Sequence, residues 1–362
     1  MHDSIGVEDI DAIAQGAAVL GAGGGGDPHI GSIVARRLVG KHGPVPLVSV
    51  DDLDDDTLVA PVGMIGAPAA AVEKILSEGE LSRVLDVWAA ASGARPAALM
   101  PIEVGGGNSM VPIACAAVAG LPLVDADAMG RAFPESQMVT FYLHGYDAGT
   151  AALVDALGNS VVVDGADAVW SERLARAVTT EMGANATMVD NVQPGAVVRA
   201  CAIRGTLTLA HRIGTVLTTP DLHDDERLEQ LLGVTGGRAL FEAKVTDVHR
   251  SSTDGFTRGS AQFLGTGDDR GRSFSLEFQN EMVVAREDGQ PLAMVPDLIC
   301  VLDAVTSRAV TTESIRYGAR VRVVAIPCDA QWRTPRGIEV AGPRAFGLDL
   351  DYRPFDEMGM GA

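Results

Sequence analysis

The stretch Val124-Asp-Ala-Asp-Ala-Met-Gly-Arg-Ala-Phe-Pro-Glu135 places four ionisable side chains between two apolar segments of the chain. Its hydrophobic pattern fits neither an amphipathic helix nor an alternating strand. Gly130 and Pro134 would interrupt any regular element. The stretch therefore predicts a short strand that ends near Val124 and an ordered loop at the carboxyl end of a sheet, where open α/β folds bind ligands. A solvated loop with internal ion pairs is the alternative.

Composition limits the classes of function. The chain has 362 residues, of which 47% are hydrophobic, and a formal net charge of −20. A large core is expected, whereas nucleic acid and anionic membrane surfaces would repel the protein. The first residues lack the basic and apolar regions of a signal peptide, and no apolar run reaches membrane-spanning length, so we expect a cytoplasmic protein. The four cysteines are far apart and are expected to be buried free thiols.

The order of predicted elements divides the chain in two. Strands and helices alternate over residues 1–165, which predicts an α/β domain with a mostly parallel sheet. Residues 166–362 are rich in short strands separated by turns, which predicts a sandwich or barrel-like domain. Helices around residues 165–190 are expected to join the two parts.

Three loops are expected to converge. Gly63–Pro68, Glu103–Ser109 and Asp125–Glu135 each follow a predicted strand, and parallel strands end at one edge of their sheet. The glycine run Gly23–Gly26 instead leads into a helix that Asp27 and Pro28 are suited to begin. Phosphate binding by this run is a weak hypothesis because no strand precedes it, so no nucleotide cofactor is favoured.

These segments resemble the S-methyl-thiohydantoin desulfurase family, which was long of unknown function and is associated with hydantoin utilisation. The resemblance spans about residues 8–355 and rests on Leu20-Gly-Ala-Gly-Gly-Gly-Gly-Asp-Pro28, Gly66-Ala-Pro68, Gly105-Gly-Gly-Asn108, Asp125–Glu135, Pro296-Asp-Leu-Ile299 and Gly342-Pro-Arg-Ala-Phe-Gly347. It implies a two-part hydrolase that converts an S-methyl thiohydantoin to a hydantoin and methanethiol. The alternative is a non-catalytic subunit that binds a hydantoin-like ligand for a partner enzyme.

The implied reaction needs a base for water, an acid or carboxylate facing the ring nitrogens, and donors for the ring carbonyl. Asp127 is the preferred base, with Asp125 as the alternative and Glu135 as a further catalytic carboxyl. Arg131 could bind an acidic tail or hold Glu135. The remaining expected substrate contacts are Asn108 and the backbone of the two glycine loops, represented by Gly24, Gly25 and Gly106.

A divalent metal remains possible, but the sequence has no His-x-x-x-His pair. The best histidines are His29, His144 and His211, and each could equally be structural. Cys115 lies in an apolar helix and is rejected as a nucleophile. A small-molecule substrate is expected and a homo-oligomer is possible; the ring substituent and the oligomeric state are not fixed by the sequence.

Overall fold

The computed structural model describes residues 3–67, 74–253 and 256–358. Its first sheet has nine strands in the order β1-β2-β5-β4-β3-β9-β7-β8, with β10 paired to β3. The bounds of these strands are β1 Ser4–Ile5, β2 Val45–Val48, β3 Leu58–Gly66, β4 Ala98–Pro101, β5 Leu123–Val124, β7 Ala151–Val154, β8 Ser160–Val163, β9 Asn185–Val189 and β10 Gln193–Pro194. Two further strands, β6 Ala126–Asp127 and β11 Ile203–Arg204, form a separate antiparallel pair.

Within the described residues, the helices are α1 Ile10–Leu20, α2 Pro28–His42, α3 Glu78–Ser92, α4 Met110–Ala119, α5 Thr140–Leu143, α6 Ala168–Glu181, α7 Gly195–Cys201, α8 Thr206–Thr218, α9 Asp224–Thr235 and α10 Pro335–Ala341. Short 3-10 helices occupy Val50–Asp52, Gly106–Ser109, Gly267–Asp269, Ala330–Arg333 and Pro343–Phe346.

Local sequence explains where several helices begin and end. Asp27 caps α2 by accepting a hydrogen bond from the His29 amide, and Pro28 occupies the first helical turn, as predicted. Ser77 caps α3 in the same way. Gly93 and Gly120 end α3 and α4 in the left-handed conformation that glycine adopts without strain.

The four central strands β2, β5, β4 and β3 are parallel, whereas the flanking pairs are antiparallel. The central strands are nearly wholly apolar, as expected for strands that helices cover on both faces. The predicted α/β part with a parallel sheet is thus confirmed at the centre of the sheet, and the sheet as a whole is mixed.

The second sheet is antiparallel and has seven strands in the order β16-β15-β14-β13-β12-β18-β17. Its strands are β12 Arg238–Thr253, β13 Phe256–Gly265, β14 Ser273–Gln279, β15 Glu281–Glu287, β16 Gln290–Met294, β17 Leu298–Asp303 and β18 Arg320–Ile326. Strands β15 and β17 contact each other, so the sheet is curled. The predicted β-rich, barrel-like C-terminal part is confirmed.

The predicted domain boundary between residues 165 and 166 stays a prediction. Strand β9 pairs with both β3 and β7, so residues beyond 165 complete the first sheet. Helix α3 begins at Glu78, and residues 68–73, including Pro68 of the glycine-alanine-proline motif, lie outside the described residues. No helix within the described residues has the length and apolarity that crossing a membrane requires.

Candidate active site

A cavity of about 270 Å³ lies at the carboxyl ends of β3 and β4, where Met64–Gly66 and Ile102–Glu103 reach it. This is the edge at which open α/β sheets bind ligands. Much of its wall is apolar and includes Ile30, Val34, Met64, Ile102, Val111 and Met188. Its volume is near the lower end for small-molecule pockets, which suits a single-ring ligand.

The predicted loops meet at this cavity. Gly25 and Gly26, Gly107 and Asn108, and Phe133–Glu135 all line it. The two glycine loops pack backbone against backbone, because the Gly107 amide donates to the Gly26 carbonyl at 3.0 Å. A Cβ on Gly106 would lie 2.5 Å from that same carbonyl oxygen. Their glycines therefore allow two loops to approach each other closely, and the first role of this region is structural.

Glu103 presents a buried carboxyl to the cavity. It lies two residues after the end of β4, and only 4% of the residue is exposed. The Asn108 side-chain amide donates to its Oε1 at 2.5 Å, and the Phe133 amide donates to its Oε2 at 3.1 Å. Burial raises the pKa of Glu103 to about 8, although both hydrogen bonds oppose the shift. A base or acid that titrates near neutral pH is thus fixed in the cavity wall.

Asn108 is itself held in place. Its Oδ1 accepts the Met64 amide at 2.8 Å, which directs the side-chain nitrogen toward Glu103. Asn108 lines the cavity, as expected of a substrate contact, but its amide hydrogen bond is made to Glu103. In this structure Asn108 orients Glu103.

A second buried carboxyl, Glu281, reaches the same cavity from the C-terminal sheet. The residue is 2% exposed, and its Oε2 has no hydrogen-bond partner within the described residues. Burial raises the pKa of Glu281 well above its ordinary value, and the nearby Glu103 raises it further, while Arg131 opposes the shift. The cavity therefore holds two coupled carboxyls that cannot easily be ionised together.

The rim of the cavity carries Glu135 with Glu172 and Arg176. Arg176 Nη2 donates to the Pro134 carbonyl at 2.8 Å and pairs with Glu172. Glu135 accepts a hydrogen bond from the Gln137 side chain, and burial, followed by repulsion from Glu172, raises the pKa of Glu135. Of the three carboxyls predicted to be catalytic, Glu135 alone lines the cavity.

Asp127, the expected base, lies behind the cavity wall. It is 0% exposed, and its Oδ2 accepts the amides of Val104, Met129 and Gly130 at 2.7, 3.3 and 2.8 Å. Burial raises the pKa of Asp127 to about 7. These contacts shape the loop after Glu103, so the structure assigns Asp127 a supporting position, and we move the role of base away from it.

Asp125 is also separated from the cavity lining. Its Oδ1 accepts the amides of Leu207 and Thr208 at 3.0 and 3.1 Å, and its Oδ2 accepts the Thr208 hydroxyl at 2.5 Å. It therefore satisfies free amides at the start of α8, as a capping side chain would. Asp125 and Asp127 are two positions apart in the chain, and their side chains accept hydrogen bonds from different segments. They do not form one catalytic pair.

Arg131 does not reach the cavity or Glu135. It is fully buried, and its Nη1 donates to the carbonyls of Pro296 and Asp297 at 2.6 and 3.0 Å. Its guanidinium also lies 4.6 Å from the ring centroid of Phe133. Arg131 therefore joins the two parts of the chain, which corrects its expected role as a substrate or Glu135 contact.

The glycines expected to contact substrate differ in position. Gly25 lines the cavity, whereas Gly24 packs on Glu281 and Gly106 packs on the carbonyls of the other glycine loop. The missing side chain of Gly24 leaves room for the carboxyl of Glu281.

The candidate metal ligands are dispersed. His29 lines the cavity, His144 Nε2 lies 2.8 Å from Gln331 Oε1, and His211 Nε2 lies 3.1 Å from Asp9 Oδ1. Residues 3–67, 74–253 and 256–358 contain no group of three or more histidine, cysteine or acidic side chains suited to hold a metal ion. All four cysteines are buried and unbridged, as predicted, and burial raises the pKa of Cys115 to about 12.

Two acids of the cavity, Glu103 and Glu281, are not among the predicted catalytic residues. Glu103 has a sequence signal, since it is an acid shortly after an apolar strand and before a glycine loop, but the motif Asp125–Glu135 has a higher density of acids. Glu281 had no local signal, because it is one acid in an antiparallel strand and reaches the cavity only through the tertiary fold.

Comparison with known proteins agrees with this architecture. The model of an S-Me-THD-like N-terminal domain matches residues 8–165, and that of an S-Me-THD-like C-terminal domain matches residues 166–355. The chain belongs to the S-methyl-thiohydantoin desulfurase-like family. No curated protein matches it.

A crystal structure of a protein from Chromobacterium violaceum has the same fold. The two sequences are 23% identical, and the structures superpose with a TM-score of 0.80. The match covers 98% of the chain described here and 100% of the Chromobacterium violaceum chain. At this identity the similarity establishes the fold alone.

Proposed function

We propose that this protein is a hydrolase that converts an S-methyl thiohydantoin to the corresponding hydantoin and methanethiol. The observation that carries the proposal is Glu103: a buried carboxyl in the wall of a single-ring-sized cavity, oriented by Asn108, with a pKa of about 8. Membership of the desulfurase-like family supplies the substrate class.

The substrate is a cyclic isothiourea, whose C2 carbon is bonded to two ring nitrogens and to sulfur. Water adds to C2, the tetrahedral adduct loses the C–S bond, and the ring is left with a C2 carbonyl. The sulfur takes the bonding electrons and one proton, so that water and the substrate give hydantoin and methanethiol. A base must accept a proton from the attacking water.

Glu103 is suited to be that base. Its two oxygens accept N–H groups from Asn108 and Phe133, and such hydrogen bonds favour the carboxylate. A pKa near the working pH combines a useful ionised fraction with sufficient basicity. The apolar wall lowers the local dielectric and keeps bulk water from competing.

The volume of the cavity also favours a single-ring ligand over a nucleotide. A volume of about 270 Å³ suits a monocyclic ligand better than a dinucleotide. The glycine loop Gly23–Gly26 packs on protein atoms at Gly24 and Gly25, which argues against its use as a phosphate cradle.

The test is the release of free thiol from S-methyl thiohydantoins by the purified protein, with hydantoin formation followed in parallel. Replacing Glu103 by glutamine keeps the side-chain shape and removes the base, so turnover should fall by about 10²–10⁴. Thermal stabilisation by substrate should persist in the variant, because a ligand that binds only the folded state must stabilise it. Wild-type protein that binds the ring but releases no thiol at any pH would instead support the non-catalytic binding role.

A further inference from the structure

We infer that Glu281 is the general acid of this site: its carboxylic acid, supplied by the C-terminal sheet, donates a proton to an imine-type ring nitrogen. The site thereby selects S-alkylated rings over the parent thione rings. This inference rests on the proposed function and deepens it, by naming the feature of the ring that the protein recognises.

The backbone of the C-terminal sheet fixes the position of Glu281. The preceding residue, Asn280, is the turn between β14 and β15 and has a φ of 56°, which is uncommon outside glycine. Asn280 and Thr257 exchange two hydrogen bonds of 2.8 Å, one to the Asn280 side chain. The Thr312 hydroxyl donates to the Asn280 carbonyl at 2.6 Å. These contacts fix the turn and hence the position of Glu281.

The glycine loop of the first domain is docked on the same turn. The Met282 amide donates to the Ala22 carbonyl at 2.8 Å, and the Thr312 amide donates to the Gly23 carbonyl at 3.0 Å. A Cβ on Gly24 would overlap Glu281 Oε1 and would lie 2.5 Å from Glu281 Cδ. Gly24 has no positive φ, so its backbone would accept another residue. The reason for glycine here is therefore the space that the Glu281 carboxyl occupies.

The buried carboxyl of Glu281 lacks, among the described residues, a hydrogen-bond partner that a ligand in the cavity could supply. The carboxyl is 2% exposed, lines the cavity and has an Oε2 without a partner within the described residues. Buried polar groups are nearly always hydrogen-bonded, and an unsatisfied one is costly. Burial and the nearby Glu103 both raise the pKa of Glu281, which favours its protonated form. A protonated carboxyl at this position would pair with a hydrogen-bond acceptor on the ligand.

The two ring types differ in that acceptor. In an S-alkylated ring, C2 is doubly bonded to one nitrogen, which has a free lone pair. In the neutral thione both neighbouring nitrogens carry hydrogen, so an O–H of Glu281 would meet an N–H. A site built to hydrogen-bond one group discriminates strongly against an analogue that lacks it, because its own buried group is left unpaired.

The proton transfers balance with Glu103 as the partner. Glu103 takes a proton from the attacking water while Glu281 protonates the ring nitrogen, which gives a neutral tetrahedral adduct. When the C–S bond breaks, the new hydroxyl returns a proton to Glu281 and the departing thiolate takes the proton of Glu103. Both carboxyls end as they began. A pair in which one member is protonated and the other ionised is how adjacent carboxyls divide acid and base roles.

The test has a catalytic and a binding part. Glu281→Gln should lower kcat by about 10²–10⁴, because the amide can hydrogen-bond the nitrogen but cannot transfer a proton. The matched control is Glu313→Gln. Glu313 is a half-buried acid whose charge also acts on Glu281, but it does not line the cavity, so thiol release should stay near wild type.

For binding, the Glu103→Gln protein serves as a background without turnover. In it, 2-methylthio-hydantoin should bind about 10- to 100-fold more tightly than 2-thiohydantoin, and adding Glu281→Ala should bring the ratio close to one. A ratio unchanged by Glu281→Ala, or near-normal kcat in folded Glu281→Gln protein, overturns the inference. If wild-type protein releases no thiol, the proposed function fails and the proton-donor role fails with it; if thiol is released and the ratio does not change, only the inference about Glu281 fails.

Discussion

Two groups of acids in this protein have different surroundings. Asp125 and Asp127 belong to one dense motif; their oxygens accept hydrogen bonds from backbone amides, and neither side chain lines the cavity. Glu103 and Glu281 are 178 positions apart in the numbering, 281 minus 103, and both line one cavity. The comparison teaches that acids clustered in sequence can organise a loop, while the acids available for chemistry are brought together by the fold.

The largest expected effect concerns pH and stability. Folded-state pKa values of about 8 for Glu103 and about 7 for Asp127 and for Asp190, a buried residue directly after β9, lie above their ordinary values of 4.5 and 3.8. Unfolded protein loses these protons first, so the free energy of unfolding should fall as pH rises from about 4 to 8. Each such group lowers the free energy of unfolding by up to about 1.4 kcal/mol for each unit of rising pH.

Urea unfolding at a series of pH values measures this dependence. Glu103→Gln removes one titrating group, so its stability should vary less steeply with pH between about 5 and 8 than that of the wild type. Stability that rises with pH over this range would show that these acids are ionised in the folded protein.

The next largest effect is on activity and concerns Gly24, the glycine that packs on Glu281. Gly24→Ala should displace the Glu281 side chain, because the new Cβ would lie 2.5 Å from Glu281 Cδ. Thiol release should fall by about 10²-fold, the scale of a small misplacement of a catalytic group, with little change in melting temperature. Gly79→Ala in helix α3 is the control, since its Cβ meets nothing within 4 Å. Equal activity of the two variants would separate Gly24 from the site.

The smallest expected effect is on stability and concerns Asp125 of the acidic motif Val124–Glu135. Asp125→Ala removes the acceptor for the Leu207 and Thr208 amides and should lower the free energy of unfolding by about 1 kcal/mol. Asp125→Asn, which keeps one acceptor oxygen, should cost less. Substrate turnover by the folded protein should be unchanged in both, and a selective loss of turnover would return Asp125 to the catalytic set.

Much of the fold could be predicted because its signals are local. The cap at Asp27, the apolar central strands and the turns in the C-terminal sheet each depend on neighbouring residues. The position of β9 in the first sheet could not, because pairing with β3 depends on contacts over more than a hundred residues.

The site could be predicted only in outline. Loops that follow parallel strands were expected to meet, and Asn108 and Glu135 from two of these loops do line the cavity, as does Gly25 of the glycine run between two helices. The roles of individual acids depend on which way each side chain points and what it contacts. The sequence shows that Asp127 is acidic, but three amides that bind its Oδ2 are visible only in the structure.

The most direct measurement compares thiol release by Glu103→Gln and Asp127→Asn under identical conditions, with circular dichroism to confirm folding. The account predicts a loss of about 10²–10⁴ in kcat for Glu103→Gln. For Asp127→Asn it predicts a loss of less than about tenfold, since a positioning residue does not transfer the proton. A folded Asp127→Asn protein that is inactive, beside a Glu103→Gln protein with near-normal turnover, would contradict the account and make Asp127 the base.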